Sequence, residues 1–372
     1  MTATLTPAGR AIHVVELNPY APRPFVFTET AICLVDAIRA AGYVAQHVHN
    51  RIDPAAWSIV LGATPALPPG VELDPRTCAV FNFEQLGGQS AVGTPEYRRW
   101  LADWLVLDYH SRNVEFLRAE NGPQQQAIEL PIVPSPRLAE PAGEEPKTVD
   151  VLFFGTPNPR RDAVLRALQD AGLAVEIVAG AYADELAPAV RRARIVLHVH
   201  FYESALFPVV RMVQPVARGI PVVCEDSVFS AGADWSASGI RFAPYSQLVA
   251  ACQALLQAPQ EQRERAARAQ AFARGIDFAR PLQAVIAAFE ARNAPAASGG
   301  SGPVGPDGER LLTNREIEEI LAREAEDIPE AHLQPDEPAI VKREPGQGKF
   351  GRWIAWLLVA FSLLTILQAM RR

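Results

Sequence analysis

Val151-Leu152-Phe153-Phe154-Gly155-Thr156-Pro157-Asn158-Pro159-Arg160-Arg161 reads as a strand, a turn and the opening of a helix. The apolar run to Phe154 has strand length and Gly155 ends it. A turn follows, and a helix opens with two arginines beside it. A glycine at such a turn lets backbone N–H groups approach a ligand closely. The helix N-terminus adds partial positive charge, so the unit suits a phosphate. Arg160 and Arg161 would supply charge-assisted hydrogen bonds to a pyrophosphate.

The same alternation extends on both sides. Downstream, a helix over 161–171 stops at Gly172, and strands are predicted at 173–178, 195–199 and 221–224. Helices are predicted at 183–194, 204–217, 246–256, 260–274 and 281–292. Upstream, strands are predicted at 12–17, 44–48, 59–61 and 78–83, with helices at 28–41, 95–104 and 112–120. Between the two series lies 134–147, a loop rich in proline and acidic residues. Strand–helix alternation predicts parallel βαβ units, hence two successive doubly wound α/β sheets with a ligand cleft at the carboxyl ends of their strands.

A second informative stretch is His198-Val199-His200-Phe201-Tyr202-Glu203, followed by Arg211 and by Gly219-Ile220-Pro221-Val222-Val223-Cys224-Glu225. His198 and His200 share one strand face; His198 reads as a core histidine. His200, Tyr202 and Glu203 fall where the strand gives way to a loop, where a carboxylate can hold sugar hydroxyls. No further ligand stands at zinc spacing. No G-x-G-x-x-G follows the first strand and no G-x-x-x-x-G-K-[ST] occurs, which argues against a nicotinamide dehydrogenase and a P-loop NTPase.

These motifs resemble the donor-binding half of GT-B glycosyltransferases, in particular bacterial ones of the spore-maturation-protein type. Those show F-x-G-S-x-N-x-R-R, then N-x-H-x-Y-E and G-x-P-V-V-S-E; Gly155, Asn158, Arg160, Arg161, His200, Tyr202, Glu203, Gly219, Pro221 and Glu225 stand at the matching places. Phe81-Asn82-Phe83-Glu84-Gln85 and Asp108-Tyr109-His110-Ser111-Arg112-Asn113 resemble the family's E-Q and D-Y-S-x-x-N elements. The resemblance implies two Rossmann-like domains, acceptor-side over 10–135 and donor-binding over 148–293, and transfer of a sugar from a nucleoside diphosphate sugar without a bound metal or other cofactor. Glu203 and His200 would be catalytic. Gly155, Asn158, Arg160, Arg161, Tyr202 and Arg211 would bind the donor, and Glu84, Gln85, Asp108 and His110 would face the acceptor. One departure stands out: the E-x7-E pattern of many retaining enzymes puts Arg211 where the second acid belongs. The alternative is a non-catalytic, membrane-tethered binding or assembly module on the same fold.

Composition agrees with a folded protein: of 372 residues, 49% are hydrophobic and 21% charged. The net charge of −7 argues against a nucleic-acid partner. The four cysteines form no C-x-x-C pair and read as reduced thiols. A linker over 294–350, containing a short charged helix, leads to an uncharged run at 353–370. At about 1.5 Å per residue that run spans a bilayer core. It predicts a single C-terminal transmembrane helix that keeps the bulk at the cytoplasmic face of the plasma membrane, near a lipid-linked or envelope acceptor.

Overall fold

The computed structural model describes residues 4–19, 24–87, 93–140, 145–202 and 205–294. The expected charged helix and transmembrane run lie outside the described residues. Among the described residues no helix is long and apolar enough to cross a membrane.

Two parallel sheets make up the fold, both within one compact unit, Met1–Ala296. The first contains β1 (Ile12–Glu16), β2 (Ala45–His49), β3 (Trp57–Leu61), β4 (Cys78–Asn82), β5 (Leu105–Asp108) and β6 (Ala127–Glu129), in the order β2-β1-β3-β4-β5-β6. Its helices are α1 (Thr28–Ala40), α2 (Pro95–Leu101) and α3 (Ser111–Asn121). The second contains β7 (Val149–Phe154), β8 (Val175–Val178), β9 (Ala193–His198), β10 (Val222–Glu225) and β11 (Arg241–Ala243), in the order β11-β10-β9-β7-β8. Around it lie α4 (Pro159–Asp170), α5 (Ala187–Arg192), α6 (Val209–Ala217), α7 (Leu248–Leu256), α8 (Pro259–Arg274) and α9 (Ala279–Asn293).

The sequence explains this layering. β1, β3, β4 and β5 are buried at every position, as strands covered on both faces must be. The edge strand β2 buries only Ala45. In α1 the spacing of Ala31, Leu34, Val35 and Ile38 gives one apolar stripe, all of it buried. Side-chain oxygens of Thr94 and Asn158 cap α2 and α4.

Three elements differ from expectation. The helix expected to Trp104 stops at Leu101, and β5 follows as a strand of its own; β6 and β11 are likewise short strands that carry no visible period. The helix expected from Ser204 begins at Val209. Ala205 sits at φ 51° and Leu206 bridges to Val228, while Pro208 holds the residue before it out of helical geometry. The helix expected to Arg194 yields to strand at Ala193, because β9 pairs with β7 from Val149 onward.

A single apolar cluster joins the two sheets. It runs from Ile12 and Trp57 through α1 to Met212, Val213 and Val216 of α6, and on to Leu282 and Phe289 of α9. The last helix returns to the first sheet: Phe289 stacks on Trp57 at 5.1 Å, and Arg292 donates to Pro75 O at 2.8 Å.

Candidate functional site

In the second sheet β8 lies to one side of β7 and β9 to the other, so the chain reverses direction at the carboxyl end of β7. Such a switch point leaves a crevice that ligands fill. Gly155 occupies it with φ 137°, a conformation essentially reserved for glycine. A Cβ there would stand 2.7 Å from Arg211 Nη1. Arg211 reaches over the turn from α6 and donates from Nη1 to Phe154 O at 3.1 Å. In the first sheet the switch lies between β1 and β3, where Gly62, at φ 75°, comes so near Leu17 O that a Cβ would be 2.8 Å away.

Between these edges lies a cavity of about 200 Å³. Phe27, Glu29 and Thr30 line it from the first half; Gly155, Thr156, Gly180, Tyr182 and Arg211 line it from the second. A wider groove of about 620 Å³ runs along the first half past Arg10, Arg51, Asp74 and Arg76. It touches neither Gly155 nor the carboxyl edge of the second sheet, so the smaller cavity is the candidate site.

The charges around the cavity are unequal. Burial lowers the pKa of the Arg211 guanidinium, with Tyr182, Glu29 and Tyr109 opposing. Burial likewise takes Arg161 down to about 10, and the positive charges of Arg211 and Arg160 push the same way. Arg161 thus has two positive neighbours beside a glycine turn. Glu225 pairs with Arg160. Across the cavity, Glu29 is raised by burial, while hydrogen bonds from Ala183 and Gln214 oppose the rise. Its Oε1 accepts from Ala183 N–H at 2.8 Å and from Gln214 Nε2 at 3.1 Å.

The expected donor-side residues divide into two groups. Gly155 and Arg211 line the cavity. Arg161 is 2% exposed; it donates to Val199 O at 3.0 Å and Thr156 O at 2.7 Å, and its guanidinium lies 5.0 Å from the Phe201 ring. It braces the turn rather than lining the cavity. Arg160 pairs with Glu225, donates to His200 O at 3.2 Å and stacks over Tyr245 at 4.1 Å. Asn158 Oδ1 accepts from Arg161 N–H at 2.8 Å, which is a helix cap. His200 is buried; its N–H donates to Glu225 at 2.9 Å and its Nε2 lies 3.0 Å from Ser227 Oγ. Burial lowers its pKa, against Glu225. Tyr202 packs edge-on against Phe201 and Glu203 lies outside the described residues. His198 is buried, and its Nε2 has no hydrogen-bond partner among the described residues, unlike a satisfied core histidine.

The expected acceptor-side residues form a buried polar knot. Asp108 accepts from Asn82 Nδ2 at 2.6 Å, His110 N–H at 2.8 Å and Asn113 Nδ2 at 3.0 Å; burial still pushes its carboxyl up to about 8. Glu84 contributes its carbonyl, which accepts from Asn82 and Asn113 at 2.9 Å each. Gln85 precedes Leu86, whose N–H donates to Asn113 at 3.0 Å. His110 joins the two halves: Arg112 N–H donates to its Nδ1 at 3.2 Å, so Nε2 carries the hydrogen that Val228 O accepts at 3.0 Å. The ring is therefore neutral, in keeping with a pKa lowered by burial. Neither Asp108 nor His110 lines the cavity.

Glu29, Phe27 and Tyr182 do line it and carried no visible motif. The one sequence signal for Glu29 was its place in the first turn of a helix that opens at a sheet's carboxyl edge.

Residues 137–279 match a family model described as glycosyl transferase-like. An uncharacterized protein of Acanthamoeba polyphaga mimivirus is 28% identical over 107 residues, which span 28% of this chain and 12% of that relative. Among solved structures, sucrose-phosphate synthase from Thermosynechococcus elongatus overlaps 77% of this chain and 100% of its own at 13% identity and a TM-score of 0.47. A glycosyltransferase from Rickettsia africae overlaps 77% and 99% at 6% identity and 0.46. The T4 phage protein BGT, in complex with UDP and Mn2+, overlaps 77% and 100% at 11% identity and 0.46. β7, Gly155, α4 and Arg211 all lie inside the segment, residues 137–279, that is similar to the glycosyl transferase-like family.

Proposed function

We propose that the protein transfers a sugar from a nucleoside diphosphate sugar to an acceptor that enters from the first sheet. The observation that carries this reading is the seat of Arg211 over Gly155 at a switch point, with Arg161 bracing the turn behind it. A diphosphate there meets the Arg211 cation, which stabilises the negative charge the diphosphate takes up as its bond to the sugar breaks. Arg211 is the phosphate contact, and Arg161 holds the turn in shape. Glu29, facing the cavity with a raised pKa, is the carboxylate placed to take a proton from an acceptor hydroxyl. Residues 148–293 would form the donor half and 10–135 the acceptor half. The charge-free run at 353–370 supports a tail anchor at the cytoplasmic face of the plasma membrane, and with it a lipid-linked or envelope acceptor.

The test is a titration of the full chain with nucleoside diphosphates, then turnover with a panel of their sugars. Arg211→Ala should weaken nucleotide binding about 10- to 100-fold, the worth of one or two charge-assisted hydrogen bonds. An affinity unchanged in this variant refutes the assignment. Binding without turnover of any donor would instead favour a non-catalytic module.

A further inference from the structure

A cluster of side chains at the open edge of the first sheet has no part in the sugar-transfer reading. Glu16 ends β1, and its register partner on β2 is His49. The two-residue period of a strand puts His47 on the same face as His49. Glu16 is fully buried. Its Oε1 accepts from Phe27 N–H at 2.6 Å and its Oε2 from the Thr28 hydroxyl at 3.0 Å. The same Oε2 lies 3.1 Å from His47 Nε2 and 3.7 Å from His49 Nε2. One ligand atom from each of the three residues falls within 4.8 Å of the other two.

We propose that Glu16, His47 and His49 bind a divalent transition-metal ion of the Zn2+ type, with an open position toward solvent. Geometry is the first argument. Bonds of about 2.0–2.1 Å at tetrahedral angles place ligand atoms about 3.3–3.4 Å apart, and the two oxygen–nitrogen separations straddle that value. Donor chemistry is the second. Two imidazoles and a carboxylate suit Zn2+ and its neighbours, whereas Mg2+ and Ca2+ take all-oxygen sets. Orientation is the third: the Phe27 amide and Thr28 hydroxyl hold the carboxylate in place, as outer partners do for metal ligands. A buried carboxylate also gains from a cation. His49, 47% exposed in its side chain, gives an entry path. Because Glu16 also holds Phe27, which lines the cavity, a bound ion would stiffen that wall.

The test uses the full chain stripped by a chelator and titrated with zinc chloride by calorimetry, and with Co2+ by visible absorption. Wild-type protein should bind a single ion per chain, show the d–d bands of four- or five-coordinate Co2+, and melt at a higher temperature with Zn2+. His47→Ala and His49→Ala should each weaken binding by at least about 10- to 100-fold, since loss of an outer partner alone does that much. His49→Ala should melt like wild type without metal, because its side chain is half exposed; this separates loss of ligation from loss of fold. Glu16→Gln is the poorer probe, since Glu16 also holds Phe27 and Thr28. Failure of the wild type to bind, or equal binding by the His47→Ala/His49→Ala double variant, overturns the site and leaves a hydrogen-bonded Glu16–His47 pair. Either result leaves the nucleotide titration of Arg211→Ala to be judged by itself.

Discussion

Gly155→Ala is the sharpest probe of the cavity, because two separate costs meet at one methyl group. The first is local. At φ 137° a Cβ strains the backbone, by roughly 1–3 kcal/mol for such regions. The second is a contact: the new Cβ would stand 2.7 Å from Arg211 Nη1 and 3.2 Å from its Cζ. An arginine head can swing away, but this one donates to Phe154 O at 3.1 Å, and a hydrogen bond from a charged group is worth about 1.5–3 kcal/mol. The sum is about 2.5–6 kcal/mol of stability, read by chemical denaturation at pH 7. In an Arg211→Ala background the second cost disappears, so Gly155→Ala should there cost only about 1–3 kcal/mol. The double-mutant cycle should therefore return a coupling of about 1.5–3 kcal/mol. Nucleotide binding should fall in Gly155→Ala as it does in Arg211→Ala. Costs that add within about 0.5 kcal/mol would refute the reasoning, because the guanidinium would then not be seated over the turn.

Other perturbations follow from the same contacts. Ala183 holds φ 46° while its N–H donates to Glu29 and its O accepts from Gln214; Ala183→Gly should relieve roughly 1–2 kcal/mol of left-handed strain and lose about 0.4–1 to unfolded-state entropy, a small net rise in melting temperature by calorimetry. For Glu225, burial alone would raise the pKa, but the Arg160 hydrogen bond and His200 N–H bring it below the usual 4.5. Its stabilisation is therefore complete above the unfolded value and lost as pH falls below it. Glu225→Gln should cost about 3 kcal/mol at pH 7 and flatten the acid limb of a stability–pH curve. Phe289→Ala, which empties a site 1% exposed against Trp57, should cost about 3–5 kcal/mol and leave a single unfolding transition; two transitions would show that the sheets unfold separately.

What could be read from the sequence was local. The run from Val151 to Arg161 shows its strand, its glycine turn and the opening of its helix in consecutive residues, and each of these is in the structure. β5 escaped because Leu105–Leu107 directly continues the apolar spacing of α2, so no period marks the change. The side chains of the site escaped for a different reason. Arg160, Arg161 and Arg211 are equivalent as letters, and only the tertiary placement of α6, which brings Arg211 onto Phe154 O, decides which one overhangs the cavity. Glu29 gains its meaning from Ala183, 154 residues away, and His110 from Val228, 118 away. Contacts at that separation leave no periodic trace.

The position of the cavity follows from how the two halves are joined. α1 and α6 share an apolar cluster through Leu34, Ile38, Met212 and Val216, and both helices start at the carboxyl edges of their sheets. Their N-terminal turns carry the polar side chains Glu29, on α1, and Arg211, on α6, and both line the cavity. Glu29 is met by the Ala183 amide and Gln214, which satisfies its buried acceptors across the seam. Among the described residues Arg211 is met by one carbonyl, Phe154 O, although a guanidinium carries five donors. A pair of phosphates could use several of the rest. The same packing that holds the halves together thus leaves, at its rim, one cation facing a glycine turn and one carboxylate facing it from the other sheet.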